Sequence, residues 1–288
     1  MRKKLKKVIS VMLITTILCN VFGGNVNAET MLGENGTTVY VDGVEFNVSI
    51  NDNFEIEVEG HSDVSDAFLL IDQNGYGEVE IQNDEDIVDS EEYELEIEDF
   101  TPNNVDIDVC EDGDKVQDIS SVDEIIEDTY EGQVSIVAGG AVISLGMVLE
   151  ALLTAMLAVI IAGVLYIVVT KFYSKVQGAS KTKKQKVKKY YYKAAVWKGQ
   201  VVVSPKGISK SKAISRVKSN LSVYSFTASM ARAIITQAGA HCSSPEIDGK
   251  RYRGHIYLWH YHKANAKGYA LHTGGFHSFY GAPVKGTI

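Results

Sequence analysis

Six of the seven histidines in this 288-residue chain fall between His241 and His277. A strand over 252–262 alternates its side chains, which puts Ile256, Leu258, His260 and His262 on one face and His255, Tyr257, Trp259 and Tyr261 on the other. A short closing strand follows over 277–280, carrying His277 and Tyr280. Near pH 7 a neutral imidazole accepts a proton while a protonated neighbour gives one. That pairing suits phosphodiester cleavage, above all in RNA, where the 2′-hydroxyl is an internal nucleophile. His255, His260, His262 and His277 are therefore the candidate acid–base residues, with Tyr280 placed to orient a substrate. If they form one site, His277 must approach either the His260–His262 face or His255, in a cleft bordered by lysines or arginines. Metal binding is the rival chemistry, since His260 and His262 project to the same side. The region offers only Glu246 and Asp248 as carboxylates, too few for an oxygen-rich Mg²⁺ site. The expectation is a metal-independent, RNase-like centre with no metal and no cofactor. Against it stands a plainer role, histidines that only hydrogen-bond within a small aromatic sheet.

The run Arg253-Gly-His-Ile-Tyr-Leu-Trp-His-Tyr-His262, followed by His277-Ser-Phe-Tyr-Gly281, resembles the end of a family of exported or membrane toxins of Gram-positive bacteria. The resemblance covers about the last ninety residues and the overall layout: a signal sequence, a variable exported region, a membrane segment and a short C-terminal domain. It implies a toxin-like effector and brings no catalytic assignment with it.

The elements around these histidines are strongly basic. From Lys171 onward there are 22 Lys and Arg against two acids, Glu246 and Asp248. Residues 171–199 form a lysine-rich tether suited to anionic lipid headgroups, or secondarily to nucleic acid. Residues 200–288 are expected to fold as a small α+β domain. It has a strand over 200–203, a turn at Pro205 to Gly207 and a helix over 209–219. A second helix is capped by Ser225 or Thr227, runs through Ala238 and is closed by Gly239.

The other half has the opposite sign. Between Glu29 and Glu131 there are 34 Asp and Glu against one lysine, Lys115, so the overall charge of −9 averages two unlike modules. Apolar and acidic residues alternate there, as in Phe54, Ile56 and Val58 against Glu55, Glu57 and Glu59, the mark of half-buried strands. Asp42-Gly43 and Asn74-Gly75 supply turns. Five to seven antiparallel strands are expected, with one packed face and one carboxylate face. Asp72, Asn74 and Glu78 raise calcium binding, but the glycine is misplaced for an EF-hand loop and diffuse counter-ion binding fits better. Three cysteines without close spacing give no disulfide framework.

Two apolar segments complete the plan. A basic start, an apolar run and small residues before Ala28 give a secretory signal over 1–28. Residues 134–170 hold a single charge, Glu150, and 151–170 hold none, long enough to cross a bilayer as one helix. Lysines after residue 170 then place the basic domain inside and the acidic domain (29–131) outside. A helical hairpin with 134–149 as a second segment is the alternative. The expected fold class is multi-domain: an N-terminal antiparallel all-β domain, one long transmembrane helix, and a small C-terminal α+β domain. Two functions fit this plan. One is a membrane-tethered effector that attacks nucleic acid and needs an immunity protein. The other is a non-enzymatic surface protein, with a cation- or partner-binding ectodomain and a lipid-binding inner domain.

Overall fold

The computed structural model describes residues 32–287 apart from 34–35, 42, 84–89, 126–135, 138–139, 156, 198, 249–250, 254 and 273–274. The expected signal peptide, 1–28, lies outside the described residues. The chain divides into two compact units, Met1–Gly163 and Val164–Ile288.

The first unit is an antiparallel meander. Its strands are β1 (Leu32–Gly33), β2 (Gly36–Val41), β3 (Val44–Ile50), β4 (Ile56–His61), β5 (Ser65–Ile71), β6 (Tyr76–Asn83), β7 (Glu91–Thr101), β8 (Asn104–Glu111) and β9 (Asp114–Ile119). Each pairs with the next. The two-residue period decides which face is dry: Val44, Phe46 and Val48 are buried while Glu45 and Asn47 are exposed. A two-residue pair follows, β10 (Ile136–Val137) with β11 (Gly140–Ala141). The helix α1 (Leu145–Ala155) packs on β2, β3 and β4. Asp72 has a structural task in the β5–β6 turn. Its Oδ1 accepts from the backbone N–H groups of Asn74 and Tyr76, and its Oδ2 from the Asn74 amide.

The outer face crowds its charges. The register sets Glu78 opposite Glu94, Glu80 opposite Glu92, Glu96 opposite Asp108, Asp99 opposite Asp106 and Asp108 opposite Asp118. Directly opposed like charges destabilise a sheet. Lys115 sits where it helps most, with its ammonium 2.6 Å from Asp108 and 3.1 Å from Asp118.

The transmembrane helix expected over 151–170 is replaced by several shorter elements. After α1 ends at Ala155 come β12 (Ala158–Ile161), which pairs with β7 through Ile160 and Phe100, and then β13 (Val164–Val168) and α2 (Val169–Gly178). Ala162 and Gly163 have φ of 50° and 61°, a left-handed pair that turns the chain where a helix would have to continue. The run is apolar because it is buried in protein: Leu149, Val159, Ile160, Leu165 and Ile167 are each at most 2% exposed. Among the described residues no helix is long and apolar enough to cross a membrane.

The second unit begins inside the segment expected to be membrane and tether. Residues 171–199 are built into the fold as most of α2, α3 (Lys181–Val187) and β14 (Tyr191–Trp197). Next come β15 (Gln200–Ile208), α4 (Lys210–Lys218), β16 (Val223–Ser225), α5 (Ala228–Gln237), β17 (His241–Cys242), β18 (Ile256–Tyr261), β19 (Lys263–Ala264) and β20 (Ser278–Lys285). The sheet order is β13-β15-β14-β16-β20-β18. Its pairings are antiparallel except β16 with β20, which is parallel. One face carries Tyr192 and Tyr224, which meet Phe172 of α2 and Phe226 edge-on or tilted at 5.0–6.3 Å between ring centres. The other face carries Tyr191, Val223 and Tyr261 under Ala213 and Val217 of α4 and Ala231, Ile234 and Ile235 of α5. Ser209 and Thr227 cap α4 and α5 by accepting from the backbone N–H groups of Lys212 and Met230.

Candidate functional site

The histidine cluster forms at the edge of this second sheet. His260 lies opposite Phe279 across β18 and β20, and Tyr261 lies opposite Ser278. One more step of the same register sets His262 against His277. Backbone contacts lock both ends. The His277 N–H donates to Ser222 Oγ, its carbonyl accepts from Val223, and the His262 N–H donates to Ser243 Oγ. The rings of His260, His262 and His277 then stand in mutual contact, with centres 4.9 Å apart for 260–277, 5.0 Å for 260–262 and 4.7 Å for 262–277. His277 also stacks on Phe279 at 5.0 Å. His260 and His262 are 6% and 3% exposed.

Two further residues join that sequence reasoning left out of the site. Glu246 exchanges both backbone hydrogen bonds with His260 along the free edge of β18, which brings its carboxylate Oε1 to 2.9 Å from His262 Nε2. The exposed ring of His272 lies 4.5 Å from that of His262. No periodicity announces either residue; only the scarcity of acids in this half marks Glu246. His255 and Tyr280 are not in the cluster. His255 rests against Tyr252 and Tyr257. Tyr280 points to the opposite face, stacked on Tyr261 at 5.2 Å, where burial pushes its hydroxyl up to about 12.

Hydrogen bonding fixes much of the chemistry. His260 Nδ1 lies 3.0 Å from the Leu258 carbonyl and His262 Nδ1 lies 3.0 Å from the Phe276 carbonyl. A carbonyl only accepts, so each Nδ1 carries the proton and each Nε2 offers a lone pair. His277 Nδ1 and Glu246 Oε1 are buried without an aligned hydrogen-bond partner. Burial first, then the neighbouring imidazoles, hold His262 below its ordinary value and bring His277 down to about 4. Among charged groups, Glu246 opposes the shift at His262 and Asp248 that at His277. One ring nitrogen from each of His260, His262 and His277 lies within 4.8 Å of the other two, and a second set of the same reach joins Glu246, His262 and His272.

No protein-family model, curated protein or solved structure matches this chain.

Proposed function

We propose that this protein is a toxin-like effector whose C-terminal unit hydrolyses phosphodiester bonds, with nucleic acid as the target class. The observation that carries the proposal is the convergence of His260, His262, His277 and Glu246 from three separate segments onto one edge of the sheet. Two buried imidazoles and a half-buried third are an inefficient way to fill a small core, because each polar ring needs partners. They suit a centre that takes up a proton or holds an electrophile. His262 and His277, held neutral by burial, offer lone pairs to the site rather than protons. Exposed His272 is the group placed to return a proton to the leaving oxygen. The 22 basic residues against two acids supply attraction to a polyphosphate chain. A producing cell would then need an inhibitor protein.

The test is expression of the chain without residues 1–28 in the bacterial cytoplasm. A shorter piece starting at residue 180 would lose β13 and Phe172, both part of the second unit. Growth arrest with RNA degradation is expected, and His262→Ala should relieve it through a loss of about 10²–10⁴-fold in cleavage. Healthy growth with the folded chain accumulating would favour a non-enzymatic surface protein and end the effector reading.

A further inference from the structure

The lone pairs of the histidine cluster do not balance. His260 and His262 each spend their ring N–H on a backbone carbonyl, so both Nε2 atoms are acceptors. Facing His262 Nε2 at 2.9 Å is a carboxylate oxygen, which is also only an acceptor when ionised. Glu246 Oε1 and His277 Nδ1 are both buried without a hydrogen-bond partner. Two acceptors, His262 Nε2 and Glu246 Oε1, therefore meet with no donor among the described residues, and His277 Nδ1 beside them has no partner either. Native structures rarely leave buried polar atoms in that condition unless an ion or water belongs there.

Charge placement agrees. This half of the chain has two acids among 22 basic residues. One of the two, Glu246, sets its carboxylate oxygen 2.9 Å from His262 Nε2. A carboxylate beside lone pairs fits a cation.

We propose that His260, His262 and His277 are the ligands of one divalent transition-metal ion, zinc by preference, with Glu246 on its solvent side. Imidazole with carboxylate suits zinc, while magnesium and calcium want more oxygen. Backbone carbonyls already hold the far nitrogens of His260 and His262, the supporting arrangement that orients metal-bound imidazoles. Three nitrogens at about 2.0–2.1 Å from a tetrahedral ion stand some 3.4 Å apart. The cluster, already within 4.8 Å, needs only small ring rotations. Three protein ligands leave one position for water or substrate, and Glu246 stands ready to take a proton from whatever occupies it. Such an ion would polarise a phosphoryl oxygen, a Lewis-acid role that imidazole lone pairs cannot supply.

This inference rests on the same cluster being the working centre, and one set of measurements separates the two. The purified chain, residues 29–288, is stripped with a chelator and titrated with zinc, then with cobalt(II) for its tetrahedral visible absorption. One equivalent should bind, with cobalt displaced by zinc. His260→Ala, His262→Ala and His277→Ala should each remove binding, Glu246→Gln should weaken it about 10–100-fold, and His241→Ala should not change it. Far-UV circular dichroism of each metal-free variant guards against misfolding, and the wild-type titration decides the matter without any variant. A wild-type chain that binds no stoichiometric zinc overturns the proposal and leaves His262–Glu246 as an ion pair. Zinc binding with healthy growth keeps the metal site and ends the effector reading. Growth arrest that survives chelation with no zinc bound does the reverse.

Discussion

The acidic and basic halves of this chain use carboxylates in opposite ways. In the first unit acids line one whole face, and five opposed pairs repel across the strands. In the second unit there are two acids, and one of them, Glu246, stands 2.9 Å from a ring nitrogen of the histidine cluster. A residue type spread along every strand reports only which face is wet. A residue type used twice, once against a buried imidazole, marks a place to look for a site. The contrast extends to what holds each unit together. The meander rests on a dry face that outweighs its repulsive one, whereas the second sheet is packed on both faces and places polar rings at its edge.

The largest expected effect breaks the dry face of the meander. The Phe46 ring lies over Gly60, and a Cβ added at Gly60 would fall 2.4 Å from the nearest ring atom. Phe46 is fully buried, so the ring has no free volume into which to move. Gly60→Ala should therefore destabilise the first unit by about 1–3 kcal/mol, measured by urea denaturation. Combined with Phe46→Leu, much of that cost should vanish, because the clash and the ring go together. Additive losses in the double variant would mean that the ring does not sit on Gly60.

Sequence periodicity carried a good part of this architecture. Val44, Phe46 and Val48 against Glu45 and Asn47 declare a half-buried strand, and Thr227 with Gly239 brackets α5 at both ends. The long apolar run over 151–170 misled because length and lack of charge cannot separate a bilayer from a protein interior. A helix end, a strand, a turn and another strand, each buried, read as one continuous hydrophobic segment. The β-branched Val159-Ile160-Ile161 and the Ala162-Gly163 turn were the local signs of strands. At the site, alternation placed His260 and His262 together. The approach of His277 needed the pairing of β18 with β20, and Glu246 needed the bridge to His260. Those are long-range facts that no window of sequence contains.

A smaller effect tests the repulsive face. Glu80 lies opposite Glu92 on exposed strand positions. Glu80→Lys converts a repelling cross-strand pair into an attracting one and should stabilise the meander by about 0.2–1 kcal/mol at low ionic strength. Added salt should raise the wild-type melting temperature and shrink the advantage of the variant, since the Debye length falls to about 10 Å at 0.1 M. A gain indifferent to salt would point to packing or propensity instead of charge. No comparable salt effect is expected from a charge reversal at Glu246, where loss of the acid should act through the histidine cluster.

The smallest expected effect concerns Tyr280, a residue whose sequence position suggests the site and whose placement removes it. Its ring stacks on Tyr261, on the face of β20 opposite His277 and Phe279. Burial raises its pKa to about 12 from an ordinary 10, with the neighbouring Tyr261 adding to the shift. The folded protein therefore resists ionising this hydroxyl more than the unfolded chain does. Stability contributed in this way is complete below pH 10 and is lost as pH climbs from about 10 through about 12, because only the unfolded chain gives up the proton at the lower end. Tyr280 is only partly buried, so the loss is a modest steepening of the alkaline limb of the stability profile. Tyr280→Phe keeps the stacked ring and removes the ionisation. It should flatten that limb, leave zinc binding at the cluster unchanged and leave growth arrest intact. If Tyr280→Phe abolishes growth arrest while melting at the wild-type temperature, the hydroxyl works in the reaction. The boundary between the catalytic edge and the packed face would then have to be redrawn through β20.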